Sequence, residues 1–93
     1  MERSDIQLGD VLCAAAGLEV RAAAGESLVH DPATGKVHVL NAMAARVLGM
    51  CDGTTALSSI VDDLVAATGV ERDRAAGDVL AVCSDFRTKG LVS

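Results

Sequence analysis

The sequence predicts an α+β domain in which a small antiparallel sheet is followed by three helices. Three observations predict it. Apolar residues in the first forty positions recur at strand spacing, a strong turn signal divides them at 31–36, and beyond Asn41 the apolar period lengthens to that of a helix.

The strands are justified in order. Ile6 to Ala14 is apolar without a clean period and is read as a short strand. Leu18, Val20 and Ala22 alternate with Glu19, Arg21 and Ala23, as in a half-buried strand. Gly25 allows a turn, and Ser27 to His30 forms the next strand. In Asp31-Pro32-Ala33-Thr34-Gly35-Lys36, Pro32 presets φ for a turn and Gly35 supplies the left-handed residue that closes it. This predicts a hairpin with Asp31 opposite Lys36 as an opposite-charge pair, and a returning strand Lys36 to Leu40. Leu28, His30, Val37 and Val39 then share one face, with His30 and His38 on opposite faces.

The helices follow. Asn41 is placed to cap the first, which carries Met43, Val47, Leu48 and Met50 and ends at Asp52-Gly53. Thr55 caps the second, with Leu57, Ile60, Val61, Leu64 and Val65 on its apolar side and Gly69 as its stop. The third runs from about Glu71 to Lys89 with the stripe Ala75, Val79, Val82, Cys83 and Phe86. Gly90 ends it, and Leu91-Val92 tucks back onto the core.

Composition narrows the function. The 93 residues suffice for one domain, 1–93. Net charge is −5, no Lys/Arg cluster occurs, and Phe86 is the sole aromatic residue. These features argue against a nucleic-acid partner, which needs basic side chains on phosphate and aromatic platforms for bases. Cys13, Cys51 and Cys83 lack C-x-x-C spacing and read as reduced thiols of a cytoplasmic protein. No signal peptide and no spanning apolar run is present, so no membrane partner is expected. His30 and His38 have no third metal ligand at a persuasive spacing. Asp62-Asp63 reads as solvated surface, and no nucleophile–base set or phosphate loop can be assembled. The expectation is a non-enzyme without metal or cofactor.

The string from Leu28 to Asn41 (LVHDPATGKVHVLN) resembles the hairpin of the PqqD-like family. So do Ala44-Ala45-Arg46-Val47-Leu48 followed by Asp52-Gly53, and Asp78-Val79 with Phe86, Gly90, Leu91 and Val92. Together these cover about residues 18–92. The resemblance implies a winged helix-turn-helix-like domain, a small three-stranded antiparallel sheet followed by three helices, that acts as a recognition element for ribosomally made, post-translationally modified peptides (RiPPs). In that family the precursor's leader segment docks as an extra strand on the third strand, in a groove shared with the third helix. The modifying partner is another protein or fused domain, often a radical S-adenosylmethionine enzyme; lasso-peptide systems pair a similar domain with a leader peptidase.

Strand addition has a physical basis, because an exposed edge carries unpaired N–H and C=O groups that a foreign backbone can satisfy. Here the edge is Lys36, Val37, His38, Val39 and Leu40. The third helix offers Val79, Val82, Cys83 and Phe86 toward the sheet, although these side chains serve equally as core. Leu80 and Arg87 occupy one flank of that stripe; Asp78, Asp85 and Lys89 occupy the other, and the helical projection does not choose between them. The docking idea requires that the chain's own N-terminal segment leave the edge free. Two other classes remain in view, a winged-helix DNA-binding regulator and a structural subunit that stabilises an enzyme. Monomer and homodimer are both compatible with the sequence, since a vacant edge can pair with its own copy.

Overall fold

The structure, a computed structural model, describes residues 6–93. Eight elements follow in order: β1 (Val11–Cys13), β2 (Glu19–Ala23), β3 (Glu26–Asp31), β4 (Lys36–Asn41), α1 (Ala42–Gly49), β5 (Asp52–Ala56), α2 (Leu57–Thr68) and α3 (Arg72–Thr88). The main sheet is antiparallel with order β2-β3-β4. Its hairpin has the expected register, with Asp31 opposite Lys36, His30 opposite Val37 and Leu28 opposite Val39. Gly35 closes the turn at φ 75°, and its amide donates to the Asp31 carbonyl at 2.8 Å. The expected charge pair does not form. The Asp31 carboxylate is buried and accepts from the Ala33 amide at 3.0 Å, because satisfying a turn amide beside it costs no long side chain its freedom.

The N-terminal apolar stretch is a strand over Val11–Cys13, and it pairs away from the main sheet. It forms a two-stranded ribbon with β5, with Val11 opposite Ala56 and Cys13 opposite Asp52. The segment read as a helix stop and a cap is therefore itself a strand. Ser93 exchanges backbone bonds with Cys13, and Val92 bridges Ala14, so the C-terminus tucks back against the ribbon's other side.

The expected Thr55 cap is corrected in the same place. Ala56 is the N-cap of α2 and supplies no side-chain bond. The free amides of Leu57 and Ser58 instead donate to the carbonyls of Asp10 and Leu8, at 2.9 and 2.8 Å. The N-terminal segment thus does what a capping hydroxyl would do. Thr55 is occupied elsewhere. The Asp52 carboxylate accepts from the amides and hydroxyls of both Thr54 and Thr55 at 2.9–3.1 Å, which shapes the ribbon's turn.

Those four donors hold the Asp52 carboxyl at about 2, down from 3.8. A depressed carboxyl stabilises the fold above its unfolded value and loses that contribution as pH falls through the folded one. Asp52→Asn is accordingly expected to lower stability at pH 7. In urea melts at stepped pH, the gap between wild type and variant should shrink below about pH 4 and close near pH 2.

Helix α1 packs on β3 and β4, and α3 packs against both α1 and α2. Asn41 caps α1, its side-chain oxygen accepting from the Ala44 amide at 2.8 Å, as expected. Gly69 closes α2 in the left-handed region at φ 75°. The core is Val29 and Leu40 from the sheet, Val47 and Leu48 from α1, Leu57, Ile60, Val61 and Leu64 from α2, and Ala75, Val79, Cys83 and Phe86 from α3, closed by Leu91. Arg46 of α1 clamps Asp63 of α2 through two nitrogens, Nε at 2.6 Å and Nη2 at 3.2 Å.

Candidate functional site

A three-stranded sheet has two edges, and their chemistry differs. The β2 edge alternates exposed Glu19 and Arg21, charges of the kind that discourage foreign pairing. Glu19 also meets His30 Nδ1 at 3.2 Å. The β4 edge has no acidic or basic side chain other than His38 between Val37 and Leu40. No described strand of the chain pairs with its outer side, because β1 is engaged with β5. The described part of the N-terminal segment leaves this edge free.

The strand's alternation then sorts its side chains. Val37 and Val39 lie on the face away from the helices, each 58% exposed, beside Leu28 and His30. His38 turns to the other face opposite Val29; its Nε2 is buried without a hydrogen-bond partner. Leu40 enters the core.

Between this edge and α3 lies a hollow of 290 Å³. It is lined by Val39, Leu40 and Asn41 of β4, Ala44 of α1, and Ala81, Val82, Asp85, Phe86 and Lys89 of α3. The floor is apolar. Asp85 and Lys89 form an ion pair at 2.9 Å along its rim, one helical turn apart and each about half exposed. Ala44 and Ala81 make the space, since neither side chain reaches across it.

Of the residues expected at the site, Val39, Leu40, Val82 and Phe86 are brought together around the hollow. Lys36, Val37 and His38 continue the same edge toward the turn, outside the hollow. Val79 and Cys83 are wholly buried in the core. Leu80 and Arg87 do not line the hollow; the flank that meets it carries Asp85 and Lys89. Asn41, Ala44 and Ala81 were not anticipated. Their signal was faint, because Asn41 already reads as a cap and an alanine gives no sign that its smallness is the point. Among the described residues, no group of three His, Cys, Asp or Glu side chains could hold a metal ion, and no helix is long and apolar enough to cross a membrane.

The sequence pattern of the family described as coenzyme PQQ synthesis protein D (PqqD) matches residues 26–92, which spans the hairpin, all three helices and both walls of the hollow. The chain belongs to the PqqD family. The PqqD fold is also seen in a solved structure described as TbiB1 in complex with the TbiA(beta) leader peptide. That chain is 18% identical, with a TM-score of 0.76, and the match covers 87% of the present chain and 94% of TbiB1. No curated protein matches the sequence.

Proposed function

We propose that this PqqD-family protein binds the leader segment of a ribosomally made precursor peptide by strand addition to β4 and presents it to a modifying enzyme. The protein itself carries out no chemistry. The modifying enzyme is a radical S-adenosylmethionine enzyme or a lasso-type leader peptidase, and the setting is the cytoplasm, where three free thiols persist. The observation that carries this reading is the β4 edge, unpaired among the described residues and without formal charge from Val37 to Leu40, beside a hollow on the same margin. Main-chain bonds to such an edge give affinity with little sequence demand, and the hollow supplies selectivity for the side chains that point into it. Family membership supports the reading, as does the leader peptide held by the structurally similar TbiB1.

The DNA-binding alternative is less well served. Arg46, Arg72 and Lys89 are each paired with an aspartate, which leaves them poorly placed to neutralise phosphate.

The test is an NMR titration of the full chain with peptide tiles covering the N-terminal segments of short peptides encoded beside its gene. Shifts are expected at amides of Lys36–Asn41 and of Ala81, Val82, Asp85 and Lys89. Unchanged spectra with every tile would overturn the proposal. Copurification with an enzyme that survives deletion of the leader would point instead to a purely structural subunit, and retardation of duplex DNA at low salt to the regulator.

A further inference from the structure

The outer face of the main sheet carries a pattern that the β4 edge does not use. Its other face holds Val29 and Leu40 in the core, whereas Val37 and Val39 look outward at 58% exposure. The strand register sorts the outward side chains into two rows that cross all three strands. Glu19, His30 and Val37 form one row, and Arg21, Leu28 and Val39 form the next. Between them runs the inward-facing row Val20, Val29 and His38. Glu19 Oε1 meets His30 Nδ1 at 3.2 Å, while Arg21 makes no ion pair among the described residues. A hollow of 550 Å³ dents this face, bordered by Glu19, Arg21, Leu28, His30 and Val37.

Two such faces can stack about 10 Å apart, with side chains interdigitated and strands within about 30° of each other. A two-fold axis makes a surface its own partner. The charges decide which axis fits. A two-fold along β3 sets Glu19 and Arg21 over the copy's Val37 and Val39, which strands both charges on apolar side chains. A two-fold across the strands at Arg21 sets arginine on arginine. A two-fold across the strands along the line Val20, Val29 and His38 exchanges the two rows instead. Each Glu19 then faces the copy's Arg21, each Val37 faces Val39, and each Leu28 sits over His30, at the hollow. A tilt of about 30° displaces the flanking strands by only about 2–3 Å, which the long Glu19 and Arg21 side chains absorb.

We propose that this outer face is a self-association surface, on which a second copy of the chain docks through the two-fold that exchanges the rows. The occupant is a second copy because the face supplies both members of the charge pair at the spacing that the axis requires. The valines and Leu28 give the attraction, and the two Glu19–Arg21 pairs fix the register. Six side chains per copy fall short of the roughly 800 Å² per partner of a standard interface. Pairing is therefore weak, with a dissociation constant on the order of 100 µM. The open margin of β4 and helix α3 lie outside this contact.

Sedimentation equilibrium of the full chain between about 10 µM and 1 mM is expected to show a monomer–dimer equilibrium. Glu19→Arg sets cation on cation twice in the dimer, and Arg21→Glu sets carboxylate on carboxylate twice. Each variant alone should dimerise at least tenfold more weakly than wild type. Mixed in equal amounts, the two variants should dimerise with each other at wild-type strength or better, because every arginine then meets a glutamate. Both positions are exposed, so the variants keep the fold, which thermal melts verify. A wild-type chain that stays monomeric at 1 mM overturns the proposal and leaves the face to a different protein. A dimer that either reversal leaves intact runs through another surface, such as paired β4 edges, and overturns it too. So does a mixture no more associated than its two components. No peptide enters these measurements, so their failure leaves the leader-binding proposal standing, and the reverse holds too.

Discussion

Ala81→Phe is expected to weaken peptide binding at least tenfold, a loss of about 1.4 kcal/mol or more, while the fold survives. Ala81 is exposed on α3, so the substitution leaves the core intact. Its cost to the folded state is the difference in helix propensity, about 0.5 kcal/mol, or a few degrees of melting temperature. The side chain nevertheless lines the hollow, across from Val39, Leu40 and Ala44. A phenyl ring placed there occupies the space that a ligand side chain would enter and crowds the lane beside β4. Isothermal titration of wild type and variant with a tile that binds the wild type measures the loss, and thermal melts confirm the fold. The opposite flank is the control. Leu80→Ala and Arg87→Ala touch no part of the hollow, and each is expected to leave affinity within about twofold. If these lose binding and Ala81→Phe does not, the peptide lies on the other flank of α3 and the hollow is not its seat.

How much of this could be read from residues alone depended on whether the determining interaction was local. The β3–β4 hairpin was legible, face by face, because Pro32 and Gly35 fix the turn and a period of two does the rest. Helices α1 to α3 were legible from their apolar spacing and from Asn41 and Gly69 at their ends. The β1–β5 ribbon was not. Asp52 and Gly53 are poor strand formers, and their pairing partner lies some forty positions earlier, so no local period reports it. The α2 cap was hidden for a related reason: it consists of two backbone carbonyls, at Leu8 and Asp10, which every sequence has. At the candidate site, the edge strand followed from alternation. The hollow did not, because it arises where Ala44 and Ala81 fail to fill space. The choice of flank rests on how α3 rotates against β4, and that is set by packing of Val79, Cys83 and Phe86 beneath it.

Phe86 is where stability and the candidate site meet, and its substitutions should separate the two. It is the sole aromatic residue and is 1% exposed, yet part of its surface lines the hollow beside Asp85 and Lys89. Removing a buried phenyl group costs about 3–5 kcal/mol, the lost transfer energy plus the cavity left behind. A domain of this size has only about 5–10 kcal/mol to lose. Phe86→Ala is therefore expected to lower the melting temperature by roughly 15–30 °C, a fall that calorimetry would register directly. Phe86→Leu keeps most of the volume and should cost less than about 1.5–2 kcal/mol. At a temperature where the leucine variant is fully folded, its peptide affinity reports the groove contribution alone. If Phe86 is one wall of the peptide seat, the leucine variant binds more weakly than wild type although its fold is intact. If Phe86 is core and nothing else, affinity is unchanged and only the melting curve moves. An alanine variant that melts within about 5 °C of wild type would show that the surrounding side chains can close over the gap, and the packing around α3 described above would then be wrong.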